Sequence, residues 1–199
     1  MTRVILASNN PGKAREVAAV LAPTGIEVVP QSEYLVPEAE ETALTFVENA
    51  ILKARNACAH TRLPAIADDS GLEVDALDGE PGIHSARYAG ESASDEGNNA
   101  LLLAELAGTP DSGRTARYQC VVVYLRHAAD PTPLICQASW EGRILEAPRG
   151  TGGFGYDPLF WLPDQLCSVA ELPPDTKNRL SHRGRALREL LRQLAGDPG

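Results

Sequence analysis

The apolar run Val4-Ile5-Leu6-Ala7 is too short for a helix and reads as a buried strand. The polar turn Ser8-Asn9-Asn10-Pro11-Gly12 follows, and beyond it Ala14, Val17, Ala18 and Leu21 recur at the spacing of one helix face. A second helix is predicted from Thr45, where Thr45-Phe46-Val47-Glu48 has capping-box form, to about Ala59. Phe46, Ala50, Ala54 and Ala57 lie at core spacing on it, and its other face aligns Asn49, Lys53 and Asn56.

Ala65-Ile66-Ala67 reads as a short strand ending in Asp68-Asp69-Ser70-Gly71, with a second strand over 72–77 and a Gly- and Pro-containing loop over 78–90. A helix is predicted near 95–106. Two extended segments, 117–126 and 134–145, are expected to pair as antiparallel neighbours, so the sheet is mixed. The glycine-rich stretch 150–158 leads to a strand over 159–162. The last helix takes Ser181 as N-cap and lines Leu187, Leu190, Leu191 and Leu194 along one face before Gly196, leaving Arg185, Arg188 and Arg192 to solvent. There is no internal repeat, and only the tail 196–199 is compositionally simple. Alternating strands and helices place the chain in the α/β class.

At 199 residues the default is one domain over 1–199, with room for two lobes. Hydrophobic residues at 43% and charged residues at 23% are the balance of a folded globular protein. A net charge of −9 argues against a nucleic-acid partner, whose phosphates need clustered Lys and Arg. Cys58, Cys120, Cys136 and Cys167 form no C-x-x-C pair, so neither zinc nor a disulfide framework is indicated and a cytoplasmic setting is expected. No apolar stretch approaches the length of a membrane span, and the first apolar run is too short for a secretion signal.

Several short motifs carry chemistry. Ser8 to Lys13 stand between a strand and a helix start, where free N–H groups and the helix dipole favour a phosphate, although the Walker A pattern is absent and a plain capping turn reads the same way. Asp68 and Asp69 sit where α/β proteins present functional side chains, and adjacent carboxylates call for a cation such as magnesium. Glu38, Glu40 and Glu41 form a second acidic group that completes a metal site if the fold brings it to Asp69, and is otherwise a solvated loop. Lys53 fits a ligand-facing stripe and a solvent-facing one equally. Phe154 among glycines suits stacking on a base or plugging its own loop. Lys177, His182 and Arg183 flank the start of the last helix as donors or as ordinary exposed residues.

The strings S-N-N-P-G-K, T-F-V-E-N-A-I-L-K-A-R, A-D-D-S-G-L, P-G-I-H-S-A-R-Y-A-G, G-T-G-G-F-G-Y-D-P and S-H-R-G, in this order over about 4–194, make the chain closely similar to the inosine triphosphate pyrophosphatase family. These are house-cleaning dITP/XTP diphosphatases, and the chain looks like a bacterial-type member. The resemblance implies an elongated two-lobed α/β fold around a long mixed β-sheet, with the nucleotide in a cleft between lobes and a homodimeric assembly. It implies hydrolysis of ITP, dITP and XTP to the monophosphate and pyrophosphate with Mg2+ or Mn2+, keeping deaminated purines out of DNA and RNA. By likeness, Ser8, Asn9, Asn10, Pro11, Gly12 and Lys13 hold the triphosphate, and Lys53 reaches the phosphates. Asp69 is proton acceptor and metal ligand, Glu41 is a further ligand, and Ser70 adjoins the substrate. Phe154, Gly155, Tyr156 and Asp157 line the nucleoside pocket, completed by Lys177, His182 and Arg183. His84 departs from the pattern, standing where the family usually has Tyr.

A pocket of donors made by Arg183, His182, Lys177 and loop N–H groups matches the 6-oxo acceptor of hypoxanthine and xanthine and opposes the amino donors of adenine and guanine. Two other readings share these motifs: a sensor that binds purine nucleotides without cleaving them, and a pyrophosphatase for modified pyrimidine triphosphates.

Overall fold

Strict alternation along the first strand sets the architecture. In β1 (Arg3–Leu6) and the residue after it, Val4 and Leu6 pack into one hydrophobic cluster while Ile5 and Ala7 pack into another, so the strand is buried on both faces. The computed structural model describes residues 3–196, so of the compositionally simple tail 197–199 lie outside the described residues.

The remaining elements are α1 (Pro11–Leu21), β2 (Glu27–Pro30), α2 (Phe46–Thr61), β3 (Ala65–Val74), α3 (Asp95–Glu105), β4 (Thr115–Leu125), β5 (Leu134–Ile144), β6 (Phe160–Leu162), β7 (Cys167–Ser168), α4 (Pro174–Leu180) and α5 (His182–Leu194). Among the described residues the strands form one seven-stranded sheet in the order β2-β1-β3-β4-β5-β6-β7. β1 runs parallel to β2 and β3, whereas β5–β6 and β6–β7 are antiparallel, so the sheet is mixed as expected. The Ile144 N–H donates to the Arg114 carbonyl at 2.8 Å, setting the end of β5 against the start of β4 as antiparallel neighbours do.

The chain divides into two compact units, the first comprising 1–69, 120–138 and 181–199, the second 70–119 and 139–180. In the first, Ala50, Ala54, Ala57 and Cys58 of α2 cover the face made by Ile5, Ala65, Ala67, Val121 and Val123. Val17 and Leu21 of α1 with Ala186, Leu187 and Leu190 of α5 cover the opposite face, made by Val4, Leu6, Ile66, Cys120 and Val122. In the second, Leu102 of α3 and Leu106 pack on Leu72, Val74, Tyr118, Trp140 and Phe160, and the Tyr118 and Phe160 ring centroids lie 4.4 Å apart.

Several expectations are corrected. β3 is one ten-residue strand ending at Val74, where two strands broken at the aspartates were expected, because both carboxylates find cationic partners on the helices that cover the sheet. Residues 75–77 form a 3-10 turn. α2 begins one residue after the expected Thr45, which caps it, and ends two residues beyond the expected Ala59. Ala18 is exposed, and Arg192 is half-buried in an ion pair with Glu189 at 2.8 Å. β2, β7 and α4 were not anticipated; each is seven residues or fewer, below the length at which a period stands out.

Candidate functional site

In the first unit, the alternation of β3 separates the neighbouring carboxylates. Asp68 shares the face of Ile66, toward α1 and α5, while Asp69 shares the face of Ala65 and Ala67, toward α2. Each therefore meets its own lysine. Lys13 of α1 lies 3.1 Å from Asp68 Oδ2, and Lys53 of α2 lies 2.7 Å from Asp69 Oδ1. Lys53 also reaches Glu41 at 3.0 Å, so one ammonium holds the two carboxylates expected to bind metal.

Arg183 of α5 completes the Asp68 side. Its Nε and Nη2 each lie 3.1 Å from Asp68 Oδ2, and Nη1 pairs with Glu16 of α1. Arg183 is 2% exposed and His182 6% exposed, where exposed first-turn residues were the plainer reading of the sequence. Burial, the largest influence on Asp68, raises its carboxyl, but Lys13, Arg183 and Lys53 outweigh it and hold it well below the usual range. At Asp69 burial wins over Lys53 and Lys13, and its carboxyl titrates above its ordinary value. Burial works against the Lys53 charge, yet Asp69, Asp68 and Glu41 outweigh it and raise its pKa.

The polar stripe of α2 has a use the sequence left open. The Asn49 Oδ1 accepts the Ala43 N–H at 3.0 Å, and Asn56 Nδ2 donates to the Pro37 carbonyl at 2.6 Å. Both asparagines thus tie down the loop that carries Glu41, and Lys53 between them takes its carboxylate. Of the other acidic residues there, Glu38 accepts from Asn9 Nδ2 at 2.8 Å and Glu40 is exposed.

At the start of α1, the Asn10 side chain caps the helix, accepting from the Gly12 N–H at 2.8 Å and the Lys13 N–H at 3.1 Å. The Ala14 N–H bonds the Asn10 carbonyl at 3.0 Å, and Pro11 has no N–H. These first-turn donors are therefore engaged within the chain, contrary to the expectation of free N–H groups. Ser8 Oγ accepts the Asn10 N–H at 3.2 Å, and Lys13 is the cation this loop contributes.

The second unit holds the glycine-rich loop. Asp157, 4% exposed, accepts from Lys177 Nζ at 2.7 Å and the Phe154 N–H at 2.9 Å through Oδ2, and from the Tyr118 hydroxyl at 3.2 Å through Oδ1. Lys177 Nζ stands 4.4 Å from the Phe154 ring centroid, a cation over an aromatic face. Gly153 has φ +77°, and a Cβ there would fall 2.0 Å from Asp157 Oδ2, so only glycine lets the loop close on this carboxylate. Tyr156 is buried and its hydroxyl donates to the Ser85 carbonyl at 2.8 Å, making it part of the loop's support. Ser70 follows Asp69 on β3 and is half-buried. His84 is exposed.

Among the described residues, no group of three or more His, Cys, Asp and Glu side chains is arranged to hold a metal ion. What exists is the pair Asp69 and Glu41. Asp69 Oδ2 is buried and has no hydrogen-bond partner among the described residues, a state that a cation relieves. Two carboxylates are what Mg2+ takes from a protein when water and phosphate oxygens supply the rest, so the donor set fits.

A family model described as the Ham1 family matches residues 4–193. The dITP/XTP pyrophosphatase of Thioalkalivibrio sulfidiphilus is 60% identical over 194 residues, covering 98% of this chain and 99% of that protein. The dITP/XTP pyrophosphatase of Vibrio cholerae is 57% identical over 194 residues, covering 98% and 97%. The solved structure of a HAM1 protein from Coxiella burnetii superposes with a TM-score of 0.91 at 47% identity, covering 98% of this chain and all of that one (100%).

Proposed function

The chain belongs to the Ham1 family, and from that premise we propose that it hydrolyses deaminated purine nucleoside triphosphates, ITP, dITP and XTP, to the monophosphate and pyrophosphate. Removing these nucleotides keeps them out of DNA and RNA. The observation that carries the reading is the buried Asp69 carboxylate, one oxygen held by Lys53 and the other without a partner among the described residues.

In the first unit, Lys13 and Lys53 are the cations for the triphosphate, with Ser8, Asn9, Asn10, Pro11 and Gly12 shaping the loop around it. Asp69 accepts a proton from water as the water oxygen bonds to the α-phosphorus and the bond from that phosphorus to the bridging oxygen breaks, releasing pyrophosphate. The raised pKa of Asp69 makes it a stronger base than a solvated carboxylate. Asp69 and Glu41 would hold Mg2+, or Mn2+, which supplies charge neutralisation to the phosphates when bound. In the second unit, Phe154, Gly155, Tyr156, Asp157 and Lys177 form the nucleoside side, with Phe154 offering a ring face. Ser70, His182 and Arg183 complete the substrate set, Arg183 through its grip on Asp68.

We further infer one domain of two lobes over 1–199, a homodimer, and a cytoplasmic location. The family match spanning 4–193 supports the first, and family resemblance the second. Among the described residues no helix is long and apolar enough to cross a membrane, and all four cysteines are free. The net charge of −9 supports a small-molecule partner over a nucleic acid.

The test is incubation with Mg2+ and, separately, ITP, XTP, ATP, GTP and dTTP, separating pyrophosphate from phosphate. Pyrophosphate with IMP or XMP, and ATP and GTP spared, is the expected result. Phosphate release would mean a different bond is cut, and saturable ITP binding without cleavage would make the protein a sensor.

A further inference from the structure

α3 begins with Asp95 and carries Asn99 four residues later, so the two side chains share one helix face. Both reach the backbone of Gly155. Asp95 Oδ2 accepts the Gly155 N–H at 2.6 Å, and Asn99 Nδ2 donates to the Gly155 carbonyl at 3.0 Å. A carbonyl only accepts, so the amide nitrogen of Asn99 must face it. The Asn99 Oδ1 is then left buried with no hydrogen-bond partner among the described residues. Leaving an acceptor dry is unfavourable, and here it accompanies the hold on this one glycine.

Gly155 has φ +60°, a left-handed conformation that free glycine leaves readily. Its neighbours are fixed by partners other than α3, Phe154 N–H by Asp157 at 2.9 Å and the Tyr156 hydroxyl by the Ser85 carbonyl at 2.8 Å. Gly155 between them depends on α3. With its N–H engaged by Asp95, Gly155 offers a ligand no backbone donor and contributes chiefly shape.

We propose that Asp95 and Asn99 are positioning residues for nucleoside binding: by clamping both backbone groups of Gly155, α3 presents the Phe154 ring and the Asp157–Lys177 pair in one geometry before ligand arrives. The proposal rests on the reading that the 154–157 loop receives the nucleoside. A loop ordered beforehand loses less conformational freedom on binding, so releasing it weakens binding. The groups assigned to bond cleavage, Asp69, Lys13 and Lys53, belong to the other unit.

The test compares kcat and KM for ITP, and inhibition by inorganic tripolyphosphate, in Asp95→Ala, Asp95→Asn, Asn99→Leu and Phe154→Ala. Asp95→Ala and Asn99→Leu are each expected to raise the KM for ITP about tenfold with kcat within about twofold, the loss of one hydrogen bond to a fixed partner. Tripolyphosphate, which has no nucleoside, should inhibit them as it does the parent. Asp95→Asn keeps an oxygen acceptor and should recover most of the affinity. If Phe154→Ala raises the KM but Asp95→Ala and Asn99→Leu do not, the positioning role is overturned and the nucleoside reading stands. An unchanged KM in Phe154→Ala overturns that reading and the proposal with it. Equal weakening of ITP and tripolyphosphate in the α3 variants would mark general damage to the fold and also overturn it.

Discussion

Asp68 and Asp69 are adjacent in the chain and answer to different helices, because neighbouring strand residues point to opposite faces. Asp68, paired with Lys13 and Arg183, is held well below the usual carboxylate range and anchors cations, while burial keeps the Asp69 carboxyl above its ordinary value. The two are not interchangeable. Asp69→Asn keeps the volume and removes the proton acceptor, so turnover should fall by about a hundredfold or more, with the far-ultraviolet circular dichroism unchanged. Turnover near normal in a folded Asp69→Asn enzyme would remove it from the base role. Arg183, engaged by Asp68 and Glu16, shows why residue roles are hard to read from a helix start. Nothing in S-H-R-G says whether the guanidinium faces solvent, a base or two carboxylates.

Among elements, α2 does more than cover the sheet. Asn49 is fully buried and caps the Ala43 peptide, so the loop bearing Glu41 is tied to the helix bearing Lys53. Asn49→Ala leaves the half-buried Ala43 N–H without its acceptor and should lower stability by about 1 kcal/mol, read as a lower urea midpoint at constant m-value. The connection between β4 and β5 makes a separate case. Asp130 is 1% exposed and accepts from the Arg126 N–H at 3.0 Å, the Arg126 side chain and the Thr132 N–H at 3.1 Å. Chiefly through the Arg126 side chain, its carboxyl is held far below its usual value. A depressed folded-state pKa contributes stability that is fully present above the unfolded value of about 4 and lost as pH falls below it. Asp130→Asn should therefore lower Tm at pH 7, and the difference from the parent should shrink as the pH is brought below about 4. A gap that stays constant into acid would show that the charge is not what holds this turn. The helix faces of α2 and α5 were legible because three or four turns repeat the pattern. β2, β7 and α4 were not, because none is long enough to repeat a period.

For the molecule as a whole, the carboxylates proposed to bind metal already have a cation in Lys53, so the fold does not depend on an ion to offset their repulsion. Chelation with EDTA should abolish ITP hydrolysis while leaving Tm within about 2 °C, an interval worth well under 1 kcal/mol for a chain of this size. A large fall in Tm would instead make the metal structural. The α/β class, the mixed sheet and the long helices were determined by the sequence itself, since periodicity, capping residues and glycine placement act over a few neighbours, whereas the candidate site residues came from resemblance to a family. Only the tertiary structure decided that β3 runs unbroken through Asp68 and Asp69, that each takes its own lysine, that Asn49 and Asn56 hold the Glu41 loop, and that Asp95 and Asn99 hold Gly155. Each of these pairs a charge or a polar group with a partner on another element. Buried polar groups must be satisfied, but which distant residue satisfies them follows from how the strands and helices pack, and no local pattern records it.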